Sequence, residues 1–186
     1  MVVLAIIMAV SAVVITSQGS FNKTIILANT AYDIALTIRS AQSFGIGSRN
    51  RASAINTGYG VHIGEGNSFT LFADTLPAAV CDRPDCNPGN YLYEGGDEFV
   101  NTYTLGNGIT IDDFCVDDGI TGYSCEHTSL DIVFVRPNPD AFIHADGSSA
   151  VSYARACLVV VSPQGGEKYV SVSKSGQIVA NAPPCP

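Results

Sequence analysis

Three histidines, six cysteines and a set of paired aspartates carry most of the chemistry this sequence could perform. His62, His127 and His144 stand far apart, so each by itself reads as a surface or strand histidine rather than a general base or ligand. A Ser-His-Asp triad stays open as an arrangement made by the fold, because such triads are recognised by geometry and not by order. The doublets Asp112-Asp113 and Asp117-Asp118, with Gly119 and Gly122 beside them, offer the hard oxygen ligands calcium prefers, although their spacing is not that of an EF-hand. The other reading of the four is a solvated acidic loop. Gly58-Tyr59-Gly60 begins like a dinucleotide-binding fingerprint, but Ile63 stands where the third glycine belongs and a strand pattern follows where a helix should. No metalloprotease, nucleophile-elbow or P-loop string occurs, so the expectation is a protein that is not an enzyme, with calcium its one cofactor candidate.

The cysteines point to disulfides and so to an oxidising, extracytoplasmic compartment. Sequence alone leaves the pairing open. Local spacing favours Cys81 with Cys86 across a turn at Pro84, Cys115 with Cys125 across a glycine-containing loop, and Cys157 with Cys185, which would tie down the C-terminal tail. A zinc site is the competing use, but no C-x-x-C pair exists and only His127 stands near a cysteine. The formal charge is −8 without a basic cluster, which disfavours direct nucleic-acid binding. Arg49-Asn50-Arg51 is the nearest approach to a basic patch, and reads as a solvated loop or a charge pair complementing a helix C-terminus.

The elements that must carry these residues begin with Met1 to Ile15, MVVLAIIMAVSAVVI, which has no charge, proline or glycine. This run is shorter than the roughly 20 residues a helix needs to cross a bilayer. A secretory signal is disfavoured, since no positive n-region precedes Val2. The helical pattern then resumes after Ser17-Gln18-Gly19-Ser20. Leu27, Ala31, Ile34, Ile38 and Ala41 form one apolar row, and Ile25, Ala28, Tyr32 and Ala35 a second beside it. Rows this broad predict two partners, the chain's own head on one side and something else on the other. Gly45 and Gly47 are the predicted stop.

The string MVVLAII, followed by a long, lightly charged helix, resembles the type IV pilin and pseudopilin superfamily, where a segment of the form FTLIELMVVLAII follows a prepilin peptidase cleavage site. The chain departs from that pattern in lacking the cleavage-site glycine, the N-methylated first residue and the glutamate, and the expectation is that about six residues lie upstream, which would restore a span of about 20. Near the other end, VSVSKSGQI resembles the closing hairpin of the H-type pseudopilin head. The resemblance implies a helix held in the inner membrane before assembly and packed in a filament core after it. It also implies homopolymer or sibling-subunit partners, prepilin peptidase and pilus assembly machinery, and a cell-surface filament or periplasmic pseudopilus. The residues expected to carry assembly are Val2, Val3, Leu4, Ile6, Ile7, Val10, Val13 and Val14.

From Ala52 onward the period becomes strand-like, punctuated by Gly, Asn, Asp and Pro. Tyr59–Ile63 with Ser68–Ala73, Glu98–Leu105 with Ile109–Val116, and a terminal pair within Tyr169–Val179 read as hairpins. Leu130–Val135 and Val151–Val161 read as buried strands. The expected fold is therefore α+β: a long N-terminal helix, residues 1–45, packed on an antiparallel β-sheet head, residues 46–186. The expected function is that of a filament subunit polymerising through the helix. The alternative is a singly anchored extracytoplasmic binding domain that never polymerises.

Overall fold

A computed structural model describes residues 2–47, 58–75 and 89–185, with side chains for all of these except 13–22. The helix α1 runs from Val2 to Ile46, 45 residues and about 68 Å at the usual rise per residue. Leu27, Ala31, Ile34, Ile38 and Ala41 are all buried, as steps of four and three on one helix face require. Of the second row only Ala35 joins them. Ile25 and Tyr32 face the opposite side and are 42% and 52% exposed. The helix ends as predicted, with the Gly47 N–H donating to the Ser43 carbonyl at 2.9 Å.

Ten strands follow, arranged in two antiparallel sheets of five. The first holds β1 (Gly58–Gly64), β2 (Ser68–Asp74), β3 (Phe99–Thr104), β6 (Ser129–Phe134) and β7 (Ala141–Ala145) in the order β3-β2-β1-β6-β7. The second holds β4 (Thr110–Asp117), β5 (Tyr123–Ser124), β8 (Arg155–Val161), β9 (Glu167–Ser173) and β10 (Ile178–Ala180) in the order β10-β9-β8-β4-β5.

This corrects the expected architecture. A long helix packed on one antiparallel sheet is not what the chain forms: the structure is mostly β, with two sheets, and the buried residues of α1 meet both. Leu27, Ile34 and Ile38 share one apolar core with Val61, Ile132 and Ile143 of the first sheet and Leu158, Val170 and Val172 of the second. The physical reason is that alternation along a strand reports which face is buried but not which sheet the strand joins. No helix among the described residues is long and apolar enough to cross a membrane.

The hairpin expectations divide in the same way. β1 pairs with β2 in register, Ile63 opposite Phe69, and β9 pairs with β10, Val172 opposite Ile178. The pairing expected between Glu98–Leu105 and Ile109–Val116 is overturned. β3 bonds to β2 and β4 bonds to β8, so the Gly106-Asn107-Gly108 turn carries the chain from one sheet to the other. β6 lies between β1 and β7, and Pro137 and Pro139 fall just past its end, where no ladder N–H is required.

Candidate functional site

The residues expected to drive assembly remain uncovered. Val2, Val3, Leu4, Ile6, Ile7 and Val10 are each more than half exposed, and Met8 with them. The side chains of Val13 and Val14 lie outside the described residues. Farther along, Ile25, Tyr32 and Leu36 are exposed at helical spacing on the side of α1 turned away from the sheets, Leu36 at 54%. A cleft of about 420 Å³ flanks this stripe, where Asp33, Leu36 and Ser40 face the stacked rings of Phe69 and Tyr103, 5.4 Å apart.

The histidines, by contrast, all have partners within the head. His62 Nδ1 lies 2.8 Å from an oxygen of Asp131, which is almost fully buried. The pair follows from register: His62 stands opposite Asp131 across β1 and β6, and Asp131 stands opposite His144 across β6 and β7. His144 is buried and its Nδ1 donates to the Val151 carbonyl at 2.8 Å. His127 Nδ1 lies 2.7 Å from Asp146, whose other oxygen accepts from the Thr128 N–H and hydroxyl. Those hydrogen bonds, the one from His127 first, hold the Asp146 carboxyl down at about 2. Sequence distance hid both pairs, since the partners are 69 and 19 residues apart. Two His-Asp pairs thus exist, and neither histidine has a serine hydroxyl as a hydrogen-bond partner among the described residues. The polar groups tie strands and loops together.

The first sheet has a second face, turned away from the shared core, and the segment from Gly89 to Glu98 lies over part of it. Tyr91 stacks on Phe142 with centroids 4.2 Å apart, and Tyr93 packs against His62 and Phe72 at 5.1 and 5.2 Å. Two buried carboxylates fasten this cover. Asp74 accepts the backbone N–H groups of Asn90 and Tyr91, each at 3.0 Å, and Glu98 accepts those of Thr75 and Glu94. Neither acid was singled out as a site from sequence, because nothing local distinguishes a buried carboxylate at a strand end from a solvated one.

The calcium candidates are occupied with local work. Asp112 is the exposed residue at a register shift in β4, and Asp113 accepts the N–H of Phe114. Asp117 accepts from Gly119. Asp118 accepts from Ile120 and from both the N–H and hydroxyl of Thr121, which lowers its carboxyl to about 2. The contacts of Asp117 and Asp118 are turn-forming ones, made within their own few residues. The one three-residue group of metal-ligand types among the described residues is Asp113 with Cys115 and Cys125, and both sulfurs there are joined in a disulfide. Cys157 and Cys185 form the second bond. The expected Cys81–Cys86 pair and Arg49-Asn50-Arg51 lie outside the described residues.

No protein-family model, curated protein or solved structure matches this chain.

Proposed function

We propose that this chain is a structural subunit of a pilin-like or pseudopilin-like filament that polymerises through its apolar N-terminal helix. One observation carries the reading: the helix begins with a row of large apolar side chains, Val2 through Val10, left in contact with solvent by the rest of the chain. Burying each such side chain is worth about 1.5–3 kcal/mol, so a surface of this kind drives association. A helix is well suited to it, because its backbone is satisfied internally and only side chains need cover.

The opposite side of the same helix supports the assignment. Residues 27–45 anchor α1 in the head's core, while Ile25, Tyr32 and Leu36 extend the apolar surface outward along the shaft. The partners are copies of this chain or sibling subunits. Before assembly the helix rests in the inner membrane; afterwards it lies in an extracellular or periplasmic filament. The two disulfides support an oxidising compartment for the head. The histidine and carboxylate clusters hold strands and loops, which favours a structural role over a catalytic one.

Electron microscopy of cells expressing Ile7→Lys tests the proposal. Filaments should be lost while the head keeps both disulfides and its fold; normal filaments from that variant would refute the assembly role.

A further inference from the structure

We infer that the head carries both halves of a contact between successive copies of this chain: Ile120, at the tip of the loop between β4 and β5, docks into the cleft beside Leu36, Phe69 and Tyr103 of the next copy. The inference rests on the filament reading above and extends it from the helix to the head. Ile120 is 90% exposed, more than any other large apolar side chain among the described residues. A single apolar side chain at the surface is ordinary, but this one is built into a fixed loop. The Cys115–Cys125 disulfide closes the loop. Within it Asp118 accepts from the N–H groups of Ile120 and Thr121 and from the Thr121 hydroxyl, and Asp117 accepts from the Gly119 N–H. Gly119 turns with φ 77 and lies against Ala154, where an added Cβ would stand 3.4 Å from the alanine's own. A side chain held in place before binding loses little freedom on docking.

The cleft suits such a side chain. Its volume of about 420 Å³ lies within the range of about 300–1,000 Å³ common to pockets that take apolar groups. Leu36, Leu105 and the stacked rings of Phe69 and Tyr103 supply apolar walls. The hydroxyls of Thr30, Thr37 and Ser40 each donate to the carbonyl four residues earlier in α1, so an apolar guest strands none of these donors. Asp33 is the one charged residue of the lining, and Arg155, exposed and opposite Asp117 at the foot of the loop, is the cation a docked loop would bring towards it. Knob and cleft do not meet within one chain. The cleft reaches Gly106 just before β4, the loop follows the end of β4, and the 8 residues of that strand hold the two roughly 25 Å apart. Two different surfaces on one chain make a head-to-tail contact, which propagates instead of closing a dimer. A contact this small buries far less than the roughly 1,000 Å² of a stable interface, so it forms only where the helices already hold copies side by side. The cleft borders the exposed stripe of α1 at Leu36, the side from which that reading brings a neighbour.

Photo-crosslinking in filaments of the full chain, with a benzophenone amino acid in place of Ile120, tests the contact. Irradiation should give a ladder of covalent dimers, trimers and longer chains, and mass spectrometry should place the attachment on Leu36, Phe69, Tyr103 or Leu105 of the adjoining copy. Ile120→Asp should lower filament yield about tenfold, with Ile120→Leu close to native. Both variants should keep the Cys115–Cys125 bond and the native circular dichroism, since a side chain this exposed adds little to folding. Attachment elsewhere, dimers without a ladder, or full filament yield from Ile120→Asp would overturn the knob and leave helix-driven assembly intact. Absence of filaments from the native chain would overturn the helix reading itself, and this contact with it.

Discussion

Gly45, at the end of α1, approaches the backbone of Phe134 in β6 so closely that a Cβ added to the glycine would sit 2.2 Å from the Phe134 carbonyl oxygen. From sequence the glycine reads as a helix stop. In the structure it also lets the end of the helix lie directly against the backbone of β6, where a side chain would not fit.

Gly45→Ala should accordingly destabilise the head. Alanine in place of glycine gains up to about 1 kcal/mol of helix propensity, but pushing a strand backbone aside costs about 1–3 kcal/mol, so the net sign is destabilising. Gly64→Ala is the control: nothing lies within 4 Å of the added Cβ. Urea denaturation of the two variants should separate them, and equal midpoints would contradict the close contact.

The two disulfides should differ in worth. Cys157–Cys185 spans 28 residues and Cys115–Cys125 spans 10, and loop-closure entropy makes the longer one more stabilising by about 1 kcal/mol. Denaturation of the paired Cys→Ser variants checks the order.

Asp146 should contribute to acid stability. Its carboxyl is held below the ordinary value of 3.8, at about 2, by His127 first and Thr128 next. The folded state thus binds this proton less readily than the unfolded chain, and the stabilisation present above 3.8 is lost as pH falls through about 2. Asp146→Asn should flatten the pH dependence of thermal unfolding in that window.

Leu36→Lys separates assembly from folding. Leu36 is 54% exposed, so the change should alter head stability by less than about 0.5 kcal/mol while weakening filament formation. Ile34→Lys, two residues away and fully buried, should instead prevent folding. Circular dichroism with electron microscopy distinguishes the two, and intact filaments from Leu36→Lys would remove the exposed stripe from the assembly surface.

Much of the local structure was legible because it depends on local periodicity. The buried face of α1 was readable from Leu27 to Ala41, as were the β1–β2 and β9–β10 hairpins and the inward placement of Val170, Val172 and Ile178. The β3–β4 misreading has a clear cause: a Gly-Asn-Gly turn between two strand patterns is compatible with a hairpin and equally with a crossing between sheets. Of the candidate sites, the exposed helix was visible as an uncharged run. The Asp74 and Glu98 cover was not, since its partners are backbone N–H groups that every residue but proline carries.

Sequence by itself determined the helix and the faces of most strands, because hydrophobic spacing is a property of neighbouring residues; it favoured the two cysteine pairings the structure shows without fixing them. Only the tertiary structure decided that there are two sheets around one core and that His62 meets Asp131. It alone decided that Asp74 lies buried beneath Tyr91. Those outcomes depend on strand register and burial between distant segments, where the free energy is set by what lies across the contact and not by what lies next in the chain.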